Sequence, residues 1–464
     1  MKQESSTTSR REFLRNTGRV AAASALAGVM VPAVHAAENN TIQVALIGCG
    51  GRGTGAAENA MRVKHALGPV KLVAMADVFP DRLKHSYNDL KRIGTSKMDV
   101  PKDRQFIGFD GYQKAMDCLK PGDVAIFTTP LAFRWVHFGY AIQKRLNVFM
   151  EKPLTSDGPM SHRMLKLADQ SVAKNLKVGV GLMSRHARHL EQLAKRAHDG
   201  ELGDLVLMRS YRMCGPAGSA FSERWPGNPS ELLWQIRRFH SFIWASGGCF
   251  NDFYIHVIDH CCWMKNAWPV KAQALGGRHY RQGPNGKPCV DQNFDSYSVE
   301  YTFADGTKLL LDGRCISGCT DIYSSYLHGT KGSAIASKAG DCGGPSSIYK
   351  GQKPDRAEML WMSKIPGNER DPYQNEWNDL IDAIRNDKPY NEVKRGVEAS
   401  VVCNMGRIAA HTGKEWAYED ILKMDQEYAP GADKFTMDSA PPLKSDAEGK
   451  YPIPQPGIVT SREF

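Results

Sequence analysis

The fold of this chain is decided by one stretch close to its N-terminal end, IQVALIGCGGRG at residues 42–53. The continuous apolar run at its start predicts a buried β-strand over Ile42–Ile47. A glycine-rich turn follows, and a helix is predicted over 55–67. The N-terminal N–H groups and the positive dipole end of such a helix favour a pyrophosphate. The turn residues expected to touch this group are Gly48, Gly50, Gly51, Arg52 and Gly53.

A second apolar strand, Val70–Ala76, ends at Asp77, which lies 24 residues beyond Gly53. A carboxylate at this position can accept hydrogen bonds from both ribose hydroxyls of a dinucleotide, and its charge repels a 2′-phosphate. The sequence therefore predicts NAD as the cofactor and favours it over NADP. The alternative for Asp77 is a helix N-cap close to Pro80.

Strands and helices alternate through the first third of the chain. Further strands are predicted over 124–129 and 147–150, and helices over 81–93, 111–119 and 134–145. This alternation predicts a parallel sheet with helices on both faces, which is the Rossmann arrangement of an α/β protein. We assign residues 41–154 to this NAD(P)-binding domain.

The pattern changes after a linking helix at 159–174. Strands are predicted at 177–183, 205–213, 270–275, 296–303 and 308–315, and helices at 186–198, from about 252, at 373–385 and at 396–411. These elements predict an α+β domain over 155–427 with an open, mostly antiparallel sheet and C-terminal helices. Residues 340–372 are expected to form a loop, and residues 428–464 an extended tail over the surface.

The first residues carry an export signal. Arg10 and Arg11 precede an Ala-rich, weakly apolar run at 20–34, and a small-residue cleavage site follows before Ala37. This pattern predicts a twin-arginine signal peptide over 1–36, a periplasmic or otherwise exported protein, and no stable membrane anchor after cleavage, because the run is too short to span a bilayer. The twin-arginine route exports folded proteins. A nucleotide enzyme that travels this way meets no free nicotinamide pool, so we expect its cofactor to be tightly bound.

Bulk composition excludes some classes of function. The 464 residues carry a formal net charge of +10, and the basic residues are spread along the chain. Without a basic patch, nucleic-acid binding is not predicted. The 11 cysteines form no Cys-x-x-Cys pair and show no zinc-like spacing, so most are expected to be small apolar core residues.

Three further motifs follow the glycine-rich turn along the chain. They are Thr129-Pro130 followed by His137, then Glu151-Lys152-Pro153, and then the Gly-rich stretch Gly247–His256. Together with residues 41–152 they resemble the Gfo/Idh/MocA family (glucose-fructose oxidoreductase, inositol 2-dehydrogenase, rhizopine catabolism), and the resemblance extends to about His411. It implies an oxidoreductase whose cofactor is also contacted by Thr129, Pro130, His137, Glu151 and Lys152.

The same resemblance implies that Lys152, Asp252 and His256 lie at the reacting carbon. Asp252 and His256 are four residues apart and so share one helical face. Oxidation of a secondary alcohol needs a base for the hydroxyl proton, and a histidine titrates near neutral pH. Lys152 would place positive charge beside the developing alkoxide, and Asp252 would orient the imidazole or bind a substrate hydroxyl. The alternative for His256 is a structural histidine in the core.

His260 continues this helical stripe, and two histidines with one carboxylate are also a set of metal ligands. Three ligands on one straight helix spread over about 12 Å at a rise of about 1.5 Å per residue, which is too far for one ion. No metal is therefore predicted, and the alternative is a metal held by two of these residues with groups from elsewhere.

Four further residues are predicted to bind substrate. The loop at 225–244 is rich in aromatic side chains and arginines, which pack on sugar rings and donate to hydroxyls. Its alternative role is a hydrophobic plug over the domain junction. Trp234 and Arg237 are the predicted substrate residues of this loop. The resemblance adds Arg185, which lies in the family's substrate region by position, and Tyr254, which stands where many relatives carry a small residue and would narrow the site or add a polar contact.

These observations predict an exported, NAD-dependent oxidoreductase that transfers hydride at a secondary alcohol of a carbohydrate or cyclic polyol. The resemblance implies a homo-oligomer paired through the open sheet. One alternative is a redox-neutral, NAD-dependent glycosidase, in which a transient oxidation at C3 permits elimination and is then reversed. The other is a non-enzymatic, nucleotide-bound sensor, against which Lys152 and His256 argue.

Overall fold

The computed structural model of the protein describes residues 40–464 except 95, 217, 280–281, 283–285 and 341. The predicted twin-arginine leader lies outside the described residues, so its assignment stays a prediction. Within the described ranges, no helix is long and apolar enough to cross a membrane.

The first sheet contains six parallel strands in the order β3-β2-β1-β4-β5-β6. Its strands are β1 (Ile42–Ile47), β2 (Val70–Asp77), β3 (Gln105–Ile107), β4 (Val124–Phe127), β5 (Asn147–Met150) and β6 (Val178–Val180). The connecting helices are α1 (Gly51–Arg62), α2 (Pro80–Lys91), α3 (Gly111–Asp117), α4 (Arg134–Gln143) and α5 (Gly158–Ala173). The strand order reverses at β1, and a reversal of this kind opens a ligand crevice at the carboxyl ends of the strands.

The second sheet has nine strands in the order β14-β13-β12-β11-β7-β10-β9-β8-β15. Its strands are β7 (Leu205–Cys214), β8 (Lys271–Gly277), β9 (Ser296–Thr302), β10 (Lys308–Cys315), β11 (Ile322–Gly329), β12 (Gly332–Ser337), β13 (Ser347–Tyr349), β14 (Met359–Met362) and β15 (Trp416–Ala417). Among these nine described strands, β7 and β10 are the one pair that runs parallel. The predicted fold class is therefore confirmed: a Rossmann sheet followed by a mostly antiparallel one.

The strands of the second sheet alternate buried and accessible residues, since helices cover one face of the sheet. In β10, for example, Leu309 and Leu311 are fully buried. The remaining helices are α6 (Arg188–His198), α7 (Glu231–Arg237), α8 (Ile243–Ser246), α9 (Ile255–Lys265), α10 (Pro372–Arg385), α11 (Val393–Thr412) and α12 (Tyr418–Lys423).

The nucleotide-binding sheet extends beyond the boundary expected at residue 154. Its sixth strand, β6, follows α5 and pairs with β5. Helix α10 also packs on this sheet, where the ring of Trp377 lies 4.6 Å from that of Phe149. The C-terminal half of the chain therefore completes the N-terminal sheet.

The second sheet is larger than the sequence indicated. Strands β13 and β14 lie within the segment 340–372 that was expected to form a loop, and β11 and β12 were not predicted. Every residue of β12 is buried, yet most of them are glycine, serine or alanine. Such small residues give a weak strand pattern, so tertiary pairing determines this part of the sheet.

The C-terminal tail does not simply extend over the surface, which corrects the expectation for residues 428–464. Glu463, the last residue but one, is fully buried and pairs with Arg407 and His411 of α11. Tyr451 stacks on Trp234 at a centroid distance of 6.3 Å. The tail thus packs against Trp234 of α7, and its end is buried against α11.

Candidate functional site

A cavity of about 620 Å³ opens beside the strand-order reversal at β1 and reaches the segment preceding α9. This volume lies in the usual range of ligand sites, about 300–1,000 Å³. Among the residues lining it are the predicted ones Gly48, Gly50, Gly51, Arg52, Gly53, Asp77, Thr129, Pro130, His137, Glu151, Lys152, Asp252 and His256. The structure thus brings every predicted cofactor and catalytic residue to one cavity.

Two glycines of the first turn are required because neighbouring backbone atoms lie too close to leave room for a side chain. Gly48 has a φ of +98°, and a Cβ there would lie 2.8 Å from the backbone of Thr128. A Cβ on Gly53 would lie 2.0 Å from the carbonyl oxygen of Gly48. Gly50 and Gly51, in contrast, face open space, with no heavy atom within 4 Å of a Cβ built on either. Because α1 begins at Gly51 and its N-terminus meets the cavity, this turn fits a dinucleotide pyrophosphate.

Asp77 is held at the end of β2 by main-chain donors. Its Oδ2 accepts the N–H of Cys49 at 2.6 Å, and its Oδ1 accepts the N–H of Phe79 at 2.9 Å. Burial raises the pKa of Asp77, and these two hydrogen bonds only partly offset that rise. A carboxylate offers about four acceptor positions, so Asp77 retains capacity for ribose hydroxyls.

His137 is a neutral ring in the cavity wall. Its Nδ1 lies 3.2 Å from the hydroxyl oxygen of Thr129, and its ring stacks against Phe133 at 6.2 Å. Burial and the positive charge of Arg134 lower the pKa of His137 to about 3. The wall of the cavity therefore carries an uncharged imidazole at this point.

Arg52 links the turn to two carboxylates. Its Nε lies 2.5 Å from Glu151 Oε1, and its Nη2 lies 3.0 Å from Glu376 Oε1. The guanidinium also lies 4.5 Å from the ring centre of Tyr373. Burial lowers the pKa of Arg52, but the two carboxylates outweigh burial and raise it. Glu376 belongs to α10, and nothing in its local sequence indicated this role.

The segment carrying Asp252 is a π-helical turn, Phe250–Tyr254, which leads directly into α9. It follows Gly247 and Gly248, which end the preceding helix α8 and whose φ values of +72° and +71° lie in the left-handed region that favours glycine. Single π turns within α-helices are frequent at functional sites. The turn places Asp252 on the cavity, and the first turn of α9 places His256 there.

Lys152 and Asp252 form the charged centre of the site. The ammonium nitrogen of Lys152 lies 2.6 Å from the main-chain oxygen of Asp252 and 3.2 Å from its Oδ1. The other carboxylate oxygen lies 3.2 Å from Nε2 of His240. Burial would raise the pKa of Asp252, but Lys152 and His240 together outweigh it and hold that pKa below its usual value. The carboxylate is therefore ionised at neutral pH.

Two predicted substrate residues lie away from the cavity. Arg185 makes a bidentate pair with Asp259, with both N···O distances at 2.8 Å. Tyr254 is fully buried, and its hydroxyl lies 3.7 Å from the sulfur of Cys315. The expectation that these two side chains bind substrate is corrected, since each is committed to the protein interior.

The other two predicted substrate residues make contacts that hold the loop at 225–244 in place. Trp234 is buried against Tyr451 of the tail. Arg237 makes two 2.8 Å bonds to the carboxylate of Asp81 and lies over the ring of Phe79 at 4.1 Å. These contacts correct the substrate assignment in favour of the hydrophobic-plug alternative. The same loop contributes His240 to the cavity, a role that its position in the sequence does not indicate.

His260 does not join the site. It is fully buried, and its Nε2 lies 2.5 Å from the hydroxyl oxygen of Ser325 in β11. The stripe of Asp252, His256 and His260 is therefore divided between the cavity and the core.

Elsewhere, potential ligand atoms of His186, Glu191 and Asp379 lie within 4.8 Å of one another. Arg188, however, donates to both carboxylates, at 2.7 and 2.8 Å. Burial lowers the pKa of His186, but Glu392 and Asp379 outweigh it and raise that pKa to about 10. With two cationic side chains among its carboxylates, this group is an ion-pair cluster.

The C-terminal tail also reaches the cavity. Asp433 and Phe435 line it together with residues of the glycine-rich turn. The ring of Phe435 packs edge-on against Phe133 at 6.2 Å and against Trp244 at 6.4 Å. The tail thus forms part of the cavity wall.

Comparison with known proteins agrees with this architecture. No model of a known protein family matches the chain. The chain is 27% identical to inositol 2-dehydrogenase 4 of Saccharopolyspora erythraea over 191 residues, which are 40% of this chain and 49% of that protein. The chain therefore matches about half the length of this curated relative.

Two solved structures are similar over most of the chain. The aldose-aldose oxidoreductase of Caulobacter crescentus, complexed with glycerol, has a TM-score of 0.60 at 15% identity and covers 81% of this chain and 99% of its own. Levoglucosan dehydrogenase, in complex with NADH and levoglucosan, also has a TM-score of 0.60, at 17% identity, and covers 82% of this chain and 99% of its own. At these identities the likeness establishes a shared two-domain fold.

Proposed function

We propose that this chain is an exported, NAD-dependent oxidoreductase that transfers hydride at a secondary alcohol of a carbohydrate or cyclic polyol. One observation carries the proposal: a single cavity joins the glycine-rich turn and Asp77 to Lys152, Asp252 and His256. A dinucleotide end and an acid–base end therefore share one space. The similar proteins named above act on inositol, aldoses or levoglucosan, which supports this substrate class.

The nucleotide end offers the contacts that a dinucleotide needs. The N-terminus of α1 faces the pyrophosphate position, and Asp77 accepts from ribose hydroxyls while opposing a 2′-phosphate. Neutral His137 and the hydroxyl of Thr129 form the wall towards the reacting end. A bound nicotinamide supplies the hydride acceptor.

At the reacting end, charge and proton transfer fall to different residues. The ammonium of Lys152 stabilises the alkoxide that develops on the substrate oxygen. Asp252 holds that ammonium through its main-chain oxygen and Oδ1, so the lysine is oriented before substrate arrives. His256 takes the hydroxyl proton as general base.

We propose that the cofactor stays bound throughout turnover. Export to a compartment without free NAD would empty a site of micromolar Kd, because occupancy falls once the ligand concentration drops below Kd. The tail supports retention, since Asp433 and Phe435 line the cavity and the buried Glu463 anchors the end of the tail. Reoxidation then occurs in place, by a second sugar, by reversal on the same substrate, or by a carrier.

We also propose that the chain forms a homo-oligomer through the open face of its second sheet. Leu275 and Leu360 are 76% and 64% exposed, and Val206 is 51% exposed. These side chains belong to β8, β14 and β7 of that sheet, so its uncovered face carries apolar groups that a second copy could bury.

The proposed activity is tested by incubating the purified protein with free sugars and with aryl glycosides. Nicotinamide absorbance and aglycone release are followed together, and Lys152→Ala serves as the control for chemistry at this site. We expect reduction of the bound nicotinamide without aglycone release. Release without net reduction would instead identify the redox-neutral glycosidase, and neither signal from nucleotide-loaded protein would contradict both activities.

A further inference from the structure

His240 lies in the cavity in a fixed orientation. Its ring lies between Phe239 and Phe253, at centroid distances of 3.9 and 5.5 Å. Gly218 packs so closely that a Cβ there would lie 2.5 Å from the imidazole. The ring therefore has little room to turn.

The surroundings of His240 determine which of its nitrogens carries the proton. Nδ1 lies 3.1 Å from the main-chain nitrogen of Ser219. A main-chain N–H can only donate, so Nδ1 accepts, and a neutral imidazole then carries its proton on Nε2. That Nε2 lies 3.2 Å from Oδ2 of Asp252. Neutral His240 thus donates to the Asp252 carboxylate.

Each oxygen of the Asp252 carboxylate consequently has its own donor. Lys152 approaches Oδ1 and His240 approaches Oδ2, both at 3.2 Å. Two donors on opposite oxygens fix the plane of the carboxylate, and the carboxylate in turn holds the ammonium of Lys152. The orientation of Lys152 therefore depends on a residue of a different loop.

We infer that His240 is a positioning residue, which acts on the substrate through Asp252 and Lys152. The lone pair on Nδ1 accepts from Ser219, and the proton on Nε2 is donated to Asp252. Neither nitrogen is therefore available to exchange a proton with a substrate hydroxyl. The two histidines nearest the Asp252–Lys152 pair in sequence and contact then differ in role: His256, four residues after Asp252, exchanges the proton, and His240 keeps the Asp252–Lys152 pair in place. This inference rests on the proposed function for its effect on turnover.

The kinetic test compares two substitutions of His240. His240→Leu fills the space between the aromatic rings but cannot donate, whereas His240→Gln retains an N–H donor. We expect His240→Leu to lower kcat about ten- to hundred-fold, the worth of a hydrogen bond to a charged group. KM for the sugar and Kd for NAD should change less than twofold, and His240→Gln should recover most of the loss. His198→Leu, at an exposed histidine, is the matched control.

Two kinetic outcomes would overturn the inference. One is normal kcat in a folded His240→Leu protein. The other is an equal loss of kcat and of NAD affinity in the Leu and Gln variants, which would mean that the ring only supports packing.

The tautomer is measured separately from activity by NMR of protein labelled with ¹⁵N-histidine, with the His240→Gln spectrum assigning the signal. We expect the proton on Nε2 and an unprotonated Nδ1. A proton on Nδ1 would overturn the inference whatever the activity. The expected tautomer in a protein that oxidises no sugar would support the His240–Asp252 pairing and contradict the proposed function instead.

Discussion

The ammonium nitrogen of Lys152 contacts Asp252 twice, at the main-chain oxygen and at the carboxylate. The two residues are 100 positions apart in the chain. Lys152 follows the fifth strand of the Rossmann sheet, and Asp252 belongs to the π turn that precedes α9. The contact therefore joins the nucleotide-binding domain to the second domain at the point where chemistry is proposed, and it prepares the site before any ligand binds.

Removing either proposed catalytic side chain should slow turnover without unfolding the protein. We expect Lys152→Ala and His256→Ala each to lower kcat by about 10²-fold or more, the usual scale for loss of charge stabilisation at an alkoxide and of a general base, respectively. Steady-state kinetics measures the effect, and circular dichroism checks the fold. Lys144→Ala, on the surface of the same domain, is the matched control and should leave kcat unchanged. Near-normal turnover in both cavity variants would return these residues to a structural role.

Asp77 should determine the choice of cofactor. Asp77→Ala removes both the ribose acceptor and the charge that opposes a 2′-phosphate, so NAD should bind more weakly and NADP should be discriminated against less. Asp77→Asn keeps an acceptor for the N–H of Phe79, so it should lose discrimination with a smaller loss of NAD affinity. Calorimetric Kd values for both nucleotides test this. Recovery of only NADP from the denatured wild type would refute the assignment.

The buried end of the tail should contribute strongly to stability. Glu463→Gln leaves the guanidinium of Arg407 buried without its counter-charge, which typically costs about 3–5 kcal/mol. Denaturant unfolding measures the loss, and Glu448→Gln, at a side chain 71% exposed on the same tail, is the control. Release of bound nucleotide should also become faster, because the tail lines the cavity. Equal stability of the two variants would contradict this account of the tail.

The same variant should reveal a dependence on pH. Burial opposes ionisation of Glu463, but Arg407 and His411 outweigh it and lower its pKa from 4.5 to about 2. A carboxyl whose pKa is lower in the folded state adds stability above its unfolded pKa and loses it as the pH falls towards the folded value. The stability difference between wild type and Glu463→Gln should therefore be greatest at neutral pH and shrink towards pH 2.

Export should depend on the two leader arginines. Replacing Arg10 and Arg11 with lysine should leave full-length precursor in the cytoplasm, because the twin-arginine route recognises the pair itself. Cell fractionation and immunoblotting measure the distribution. Unchanged export of the double variant would show that the leader has been misread.

The glycine-rich turn and the parallel sheet were predictable from sequence because their signals are local. Gly48 and Gly53 lie where a Cβ would collide with neighbouring atoms, so glycine at these positions indicates the tight turn in the sequence itself. The same holds for the adjacent residues of the Glu151-Lys152-Pro153 motif. Lys152 and Asp252 were expected to meet only through a family resemblance, and the structure places them in contact.

Other features depend on contacts between residues distant in sequence. The sixth strand, Val178–Val180, has three residues, too few for its pattern to assign it to a sheet. In the sequence, Glu463 is a charged residue near the chain end, and only the fold shows that it pairs with Arg407. Arg237 looked suited to a sugar, but Asp81 occupies its guanidinium in the folded protein. Residue type suggests what a side chain can bind, and the fold decides which partner it meets.

The central claim, that a nicotinamide oxidoreductase works outside the cytoplasm with a resident cofactor, is tested most directly on periplasmic protein purified without added nucleotide. Its NAD and NADH content is measured after gel filtration, and repeated turnover with a sugar pair is then followed without supplementation. We predict near-stoichiometric nucleotide and many turnovers per protein molecule. Apoprotein that requires added NAD for every turnover would contradict the claim.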